Sequence, residues 1–355
     1  MARSFVSVLI DTYNHERFIE QAIVSVLEQD FPEADREIIV VDDGSTDHTP
    51  EMVKKFEPRL RLLRKENGGQ ASAFNAGIPE CKGEIVAFLD GDDWWTQEKL
   101  SVVIREFEKH TDFGTIGHGI FEVNEAGFQA VTTVPDRIYE LRLKGAEEAR
   151  EFLQLRTYLG TSRLAVRREV LDRALPLPFD LAIEADEFLA AVTTACSGAR
   201  ILNVPLTNYR LHSGNLFQYQ GSDPVRGRRK YIALAGIVRE LPARLAAASI
   251  APEVTDILTS SVHLDVERLR LSLDGGWPWE TVRIEREFYR QSYGHSTFGY
   301  RLFHMFVLGT AGLLPPKIFY GLRSWYSARG LARVRQLVGS AKPVPSLSVT
   351  KPHDL

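Results

Sequence analysis

Phe88 to Trp95 reads FLDGDDWW, an apolar run that drops into Asp90, Asp92 and Asp93 with Gly91 between the first two. Carboxylates crowded together raise one another's pKa, so such a cluster is retained where a divalent cation neutralises it. Oxygen donors suit Mg²⁺ or Mn²⁺, and Mg²⁺ binds through one or two carboxylates together with the phosphates of a substrate. The chemistry expected at this point is a cation that joins protein carboxylates to a diphosphate. Three more polar clusters interrupt apolar runs: DTYNH at 11–15, DDGSTD at 42–47 and ENGGQ at 66–70. Asp42 and Asp43 are pure acceptors and suit the donor groups of a base and a ribose. One such cluster alone would be an ordinary turn, since Asp, Asn, Gly and Ser dominate turns. Four of them, each at the end of an apolar run, point to one shared site.

The elements that would carry these clusters alternate in type. FVSVLI (5–10), EIIVV (37–41), LRLLR (60–64) and EIVAFL (84–89) have strand patterns. Between and after them lie helix patterns from Glu16 to Gln29, from Thr49-Pro50 to about Phe56, from about Gln70, and from about Gln97 to Lys109. Strand and helix in alternation with short connections predict an α/β fold, a mostly parallel sheet with helices on both faces. Ligands of such sheets bind beyond the carboxyl ends of the strands, where the four clusters fall. No G-x-G-x-x-G turn follows the first strand and no G-K-[ST] loop occurs, which excludes the usual dinucleotide and P-loop sites.

Composition sets the frame. The chain has 355 residues, 44% hydrophobic and 25% charged, enough for a large globular domain and a smaller one. Cys81 and Cys196 are its only cysteines, so no disulfide framework or zinc-type spacing exists and a reducing cytoplasm is expected. The N-terminal MARSFVSVLIDTYN shows no secretory signal pattern. Charge divides unevenly: 34 basic against 46 acidic residues before Phe288 leave −12, while nine basic residues against Asp354 alone leave +8 after it. A basic, aromatic C-terminal region on an acidic body suggests an anionic surface as its partner.

VVDDGSTD (40–47), NGGQASAFNAG (67–77), FLDGDD (88–93) and YRLHSGN (209–215), in that order, resemble the family 2 inverting glycosyltransferases of the GT-A fold, over roughly Ser4 to Asn215. The resemblance implies a GT-A (Rossmann-like) catalytic domain and a nucleotide diphosphate-sugar donor. It implies Asp42 and Asp43 at base and ribose, and Asp90 and Asp92 as an Asp-x-Asp element meeting metal and donor. Thr12, Tyr13, Asn14, Asn67, Gly68, Gln70, Gly91 and Asp93 are expected around the substrate, with Arg210 a phosphate partner or a surface residue, and with Trp95 or Trp94 under an acceptor sugar or one of them packed on the next helix. Asp92 and His212 are the expected metal ligands, for Mn²⁺ or Mg²⁺. The family's general base is the Asp of a Glu-Asp pair ahead of a helix. In IEADEFLAAV (183–192) Ala185 replaces the Glu, leaving Asp186 as the expected base and Glu184 and Glu187 as rivals. Asn75 is expected to be structural.

Residues 1–220 are expected to form the catalytic domain, 221–339 a helical region on the acceptor side or at a membrane, and 340–355 a disordered end. Arg226-Gly227-Arg228-Arg229-Lys230 opens the helical region. Leu302 to Leu314 is uncharged, but a spanning helix needs about 20 residues. Ile318, Phe319, Leu322, Trp325 and Tyr326 form an apolar stripe that suits an interfacial helix, or one packed on the protein body. The expected function is sugar transfer to a hydroxyl acceptor, carbohydrate or lipid-linked, in cell-envelope or polysaccharide synthesis, with no nucleic-acid partner. A silent nucleotide-sugar-binding subunit, which Ala185 keeps open, and a metal-dependent phosphodiesterase are the competing readings.

Overall fold

Val6–Thr12 (β1) has Val6, Val8, Leu9 and Ile10 fully buried, the two-sided burial that a parallel strand between helical layers requires. The computed structural model describes residues 4–124, 129–212, 223–293, 298–329 and 348–350. After β1 come Ile19–Leu27 (α1), Arg36–Asp42 (β2), Thr49–Lys54 (α2), Arg61–Arg64 (β3), Gln70–Gly77 (α3), Ile85–Asp90 (β4), Trp94–Trp95 (β5) and Lys99–Lys109 (α4). β4, β1, β2 and β3 pair side by side in parallel. The register sets Asp11 opposite Asp90, Thr12 opposite Asp42, and Asp42 opposite Arg64. One register therefore brings three of the four polar clusters to the same end of the sheet.

The second half of the sheet is mixed. Thr115–Asn124 (β6), Gln129–Val134 (β7), Tyr139–Leu141 (β8), Ala146–Leu155 (α5), Ala165–Arg167 (β9), Arg168–Ala174 (α6), Ala185–Ser197 (α7) and Ala199–Leu211 (β10) follow. β9 runs antiparallel between β4 and β6. β10 pairs parallel with β6 and antiparallel with β5 and β8. Its register shifts around Pro205, which has no N–H for a ladder bond. Val8, Ile10, Ile23, Val26, Ile104, Phe107 and Trp95 belong to the core on one face of this sheet. The architecture is GT-A-like.

The chain divides into two compact units, Met1–Ser213 with Glu240–Thr255 and Leu347–Leu355, and Gly214–Arg239 with Asp256–Ser346. Pro224–Ala247 (α8), Pro252–Asp274 (α9), Pro278–Tyr293 (α10), Phe298–Leu313 (α11) and Pro316–Arg329 (α12) make the C-terminal region helical. The helical unit has its own core of Leu264, Leu271, Ile284, Ala311, Phe319 and Tyr320. Glu285, 1% exposed, accepts Arg268 Nε at 3.1 Å and pairs with Arg323. The apolar stripe expected along α12 is split: Phe319 is buried, whereas Ile318 and Leu322 are about half exposed. Trp325 and Tyr326 have side chains outside the described residues. Of the end expected to be disordered, only Ser348–Thr350 is described, and it forms a strand (β11) antiparallel to β7.

Gly69 shows how closely the loop after β3 meets the rest of the unit. It has φ +80°, and a Cβ there would stand 2.4 Å from Ala182 Cα and 2.6 Å from its carbonyl oxygen. Positive φ alone costs an L-residue about 1–2 kcal/mol. Gly69→Ala should lower unfolding stability by about 2–3 kcal/mol, strain and clash together, read as a fall in the chemical-denaturation midpoint. An unchanged midpoint would mean that the loop does not pack on Ala182.

Candidate active site

Asp42 and Asp43 come to rest at the carboxyl end of β2, 0% and 4% exposed. Asp42 Oδ1 accepts Ser45 N–H at 3.0 Å, and Oδ2 lies 3.2 Å from Arg64 Nε. The Asp43 carboxylate accepts Lys65 Nζ at 2.6 Å, Gly68 N–H at 3.0 Å and Gly69 N–H at 2.7 Å. Asn67 Nδ2 donates to the Asp43 carbonyl at 2.9 Å. The sequence-expected trio Asp43, Asn67 and Gly68 is thus brought together, with Asp43 shaping the backbone of the 65–69 loop.

The loop after β1 is braced against the loop after β2. Asn14, at φ +55°, accepts Thr46 N–H at 2.8 Å, while its own N–H donates to Ser45 Oγ at 2.8 Å. His15 N–H donates to Thr49 Oγ1 at 2.8 Å, and Thr12 Oγ1 meets His15 Nδ1 at 3.3 Å. Thr12 and Asn14 therefore position the loops, and Tyr13, 41% exposed, is the side chain of this trio presented outward.

Asp90, Asp92 and Asp93 each offer an oxygen within 4.8 Å of the others. Asp90 N–H donates to Ser162 Oγ at 3.1 Å, and Gly91 N–H to the Asp11 carbonyl at 2.9 Å. A Cβ on Gly91 would stand 2.6 Å from Thr12 Oγ1, so only glycine fits this approach. Asp92 Oδ2 lies 3.0 Å from His212 Nε2 and 3.8 Å from His15 Nε2. Burial, and then Asp92, push Asp11 up to about 8. Burial, and then Asp11, hold Asp90 well above the usual carboxylate range. Burial, and then Asp92, raise Asp93 to about 7. Burial works the same way on Asp92, but His15 and His212 outweigh it and hold that carboxyl low. Asp11 Oδ1 and Asp93 Oδ2 are buried without a hydrogen-bond partner. Crowded oxygen donors with unsatisfied lone pairs are a set that Mg²⁺ or Mn²⁺ fits.

Two expected substrate residues turn out to be structural. Trp95 is 3% exposed, donates its indole N–H to the Ser162 carbonyl at 3.1 Å, and has Lys99 Nζ 3.8 Å from its ring centroid. Neither ring face is left for a sugar. Arg210 is 3% exposed, with its guanidinium 4.7 Å from the Phe18 ring and 4.4 Å from the Trp94 ring. Its N–H donates to Asp93 Oδ1 at 2.9 Å and its Nε to the Asp92 carbonyl at 2.9 Å, so it braces the carboxylate cluster in place of a phosphate. Phe18 also meets the His212 ring at 4.8 Å.

Asp186 sits in the first turn of α7, where the chain enters through Glu184 at φ +61°. Its Oδ2 accepts Thr161 N–H at 3.1 Å and Thr161 Oγ1–H at 3.2 Å, and its Oδ1 accepts Glu187 N–H at 2.9 Å. Burial and Glu184 raise its pKa, while the Thr161 N–H and Arg163 oppose them. Asp186 in turn raises Asp11 and Asp90, which puts it within electrostatic reach of the cluster. Of its rivals, Glu187 is ion-paired with Arg156. Gln70 bridges the two sides of this region: Oε1 accepts Ala185 N–H at 2.9 Å, and Nε2 donates to Thr161 Oγ1 at 2.9 Å. Asn75 exchanges two hydrogen bonds with the Leu177 backbone, as a structural residue should. Asp11, His15, Thr161 and Ser162 are the members that sequence reasoning missed. Asp11 and His15 bracket the polar cluster after β1, but GTSR at 160–163 carries no distinguishing pattern.

Carboxyls raised in the fold bind protons there that the unfolded chain has already lost. Between pH 4 and 8 the native state therefore binds more protons, and stability falls as pH rises through that window. Without divalent cation, the melting temperature should decline from pH 5.5 to 8.5. Protection by 1 mM Mn²⁺ should widen over the same range as the cation replaces protons. Protection that is flat with pH would show that these carboxylates do not hold the cation.

Residues 7–175 match the family model "Glycosyl transferase family 2". A glycosyltransferase of Nostoc sp., described as uncharacterised, is 33% identical over 59% of this chain and 66% of its own length. The poly(ribitol-phosphate) beta-N-acetylglucosaminyltransferase TarS of Staphylococcus aureus is 30% identical over 45% of this chain and 33% of its own. The chain thus spans about two thirds of one relative and a third of the other. Among solved structures, TarS 1–349 with UDP-GlcNAc superposes with TM-score 0.59 at 21% identity, covering 81% of each chain. A mannosyltransferase of Pyrobaculum calidifontis with GDP-Man and Mn²⁺ gives 0.51 at 21% identity, over 95% of this chain and 88% of its own. The sequence match assigns residues 7–175 of this chain to glycosyltransferase family 2, and the strand-end carboxylates at 42–43 and 90–93 lie inside the matched span.

Proposed function

We propose that the protein transfers a sugar, with inversion, from a nucleotide diphosphate-sugar to an acceptor hydroxyl. The observation that carries this reading is Asp186, an oriented carboxylate within electrostatic reach of a cluster suited to a cation and a diphosphate. Asp186 takes the proton of the acceptor hydroxyl as its oxygen attacks the anomeric carbon, opposite the departing diphosphate. Asp92 and His212, with Asp90 and Asp93, would hold Mn²⁺ or Mg²⁺, which supplies positive charge to the leaving diphosphate. The loop held by Asp43 and the exposed Tyr13 form the nucleotide side, with Asp42 beneath it. Ala185, the departure from the family's Glu-Asp pair, is fully buried and uses its N–H on Gln70. A small apolar side chain therefore suffices there, which favours a working base at Asp186 over a silent binder. By similarity to TarS, UDP-GlcNAc is the first donor to try, and by similarity to the Pyrobaculum calidifontis mannosyltransferase GDP-mannose is the second, with synthesis of a polysaccharide or glycoconjugate as the setting.

Calorimetric titration of UDP and GDP, each with and without Mn²⁺, is the direct test. One diphosphate should bind with the metal, and Asp92→Asn should abolish that binding. Asp186→Asn should retain binding and lower turnover by about 10²–10⁴-fold, the usual scale for a lost general base. A chain that binds neither nucleotide under either condition is not a nucleotide-sugar transferase.

We further propose that the protein works peripherally on the cytoplasmic face of a membrane. No helix among the described residues is long and apolar enough to cross one. Yet Val225, Ile232, Trp277, Trp279, Met305, Phe306, Leu313, Ile318 and Leu322 are exposed large apolar side chains, all in the helical unit. From Phe288 to His353 the chain has no acidic residue. Apolar side chains among cations suit an anionic lipid surface, and a lipid-linked acceptor fits that location. The full chain should float with phosphatidylglycerol vesicles at low salt and dissociate at high salt. Phe306→Ser with Leu313→Ser should weaken that partition at least about 10-fold, from the apolar burial lost. A chain left in the pellet at low salt sinks the membrane reading and leaves the transferase reading untouched.

A further inference from the structure

Thr161 and Ser162 are neighbours in a single 3₁₀ turn, 1% and 2% exposed, and each is bonded to a different part of the chemistry. Thr161 gives both its N–H and its hydroxyl proton to Asp186 Oδ2. A hydroxyl has one proton, and its direction is set by what occupies the lone pairs. Here Gln70 Nε2 donates to Thr161 Oγ1, which turns the proton toward Asp186. The Gln70 amide is itself oriented, because Oε1 must accept Ala185 N–H at the start of α7. Gln70 is further anchored through its own N–H to the Ala182 carbonyl at 2.9 Å. Its neighbour Gly69 belongs to the loop held by Asp43.

Ser162 faces the other way. Its Oγ accepts Asp90 N–H at 3.1 Å and donates to Asp90 Oδ2 at 3.3 Å. Its carbonyl accepts three buried donors, Thr207 Oγ1 at 2.6 Å, Lys99 Nζ at 2.7 Å and Trp95 Nε1 at 3.1 Å. The dipeptide is thereby fixed to β10, α4 and β5 at once. We propose that Thr161 is the positioning residue of the catalytic base, and that the Thr161–Ser162 turn is the rigid spacer that sets the base against the carboxylate cluster. The inference rests on the reading of Asp186 as the base, and it gives Gln70 the task of orienting Thr161 in place of touching substrate.

The test uses Thr161→Val, which keeps the shape and the N–H but removes the hydroxyl, and Thr161→Ser, which restores it. The assay is hydrolysis of UDP-GlcNAc in Mn²⁺ with water as acceptor, or of GDP-mannose where that is the donor bound. Thr161→Val should lower kcat by about 10–100-fold with donor Kd and KM within about twofold, since only the base is disturbed. The acidic limb of its pH–rate profile should move to higher pH, because a hydrogen bond to the charged carboxylate is gone. Thr161→Ser should return kcat and the limb to near wild type. Gln70→Met, which removes the orienting amide from the other side, should shift both in the same direction and guards against a folding defect in Thr161→Val. Wild-type kcat and pH limb in Thr161→Val, or losses confined to donor affinity, overturn the positioning role. If Asp186→Asn stays as active as wild type, or the wild type binds donor and metal without any turnover, the base reading itself falls and takes this proposal with it.

Discussion

Asp11 and Asp90 stand side by side because β1 and β4 are in parallel register, and that juxtaposition of like charges governs the site around it. Two unit charges about 5 Å apart repel by about 3–4 kcal/mol at an effective dielectric near 20. One hydrogen bond offsets about 1 kcal/mol, so no single contact relieves the cluster. Relief is distributed instead. His15 and His212 lie against Asp92, the Arg210 amide bonds Asp93, and burial raises the pKa of Asp11 and Asp90 so that they hold protons more tightly. A fold that concentrates repulsion at one sheet end, and then surrounds it with groups that moderate it without cancelling it, is organised for a positively charged ligand.

The mixed half of the sheet follows from the same need. Four parallel strands bring the motifs after β1, β2, β3 and β4 to one rim, but Arg210 and His212 lie more than 100 residues beyond Asp92. The two-residue strand β5 solves this by pairing Trp94 with Asn208 and Trp95 with Thr207. That short antiparallel contact returns the end of β10 to the carboxylates, and the shift at Pro205 adjusts the strand on the way. Trp95 and Lys99, a ring and an amine packed together in the core, anchor the pairing from beneath through the Ser162 carbonyl.

Much of this was legible in the sequence, and the failures have physical causes. β1 to β4 and α1 to α4 fell within about three residues of the apolar patterns, because buried parallel strands and one-sided helices leave strong periodic signatures, whereas the two-residue β5 left none. The positions of Asp42, Asp43, Asp90, Asp92, Asp93 and His212 at one sheet end followed from motif order. Trp95 and Arg210 were misplaced because aromatic rings and guanidinium groups serve ligands and cores alike, and composition does not say which face a two-residue strand buries. The α12 stripe is divided instead: Phe319 enters the core of the helical unit, while Ile318, about 100° away around the helix, is half exposed. Thr161 escaped notice because its role depends on Gln70 and Asp186, 91 and 25 residues away, and no local pattern encodes such a meeting.

An acidic crevice that takes a diphosphate faces a second conflict, since donor and site carry the same sign. Three of the nearby cations are already engaged, although Arg163 also lies within electrostatic reach of Asp93 and Asp186. Lys65 is bound to Asp43, Arg64 is paired with Asp42, and Arg210 is stacked between Phe18 and Trp94. Each is committed to holding a loop or a carboxylate in place, so its charge is already matched within the protein. Under the proposed function, binding of donor and divalent cation would be coupled, each raising affinity for the other by the same factor. The coupling has a structural consequence for the base. Asp186 shares its electrostatic surroundings with Asp11 and Asp90, so a cation held by the cluster would balance their charge and make Asp186 easier to ionise. Under the proposed mechanism, the Asp186 carboxylate would be best prepared to take the acceptor's proton with metal and donor in place, which would tie the onset of catalysis to occupancy of the donor site.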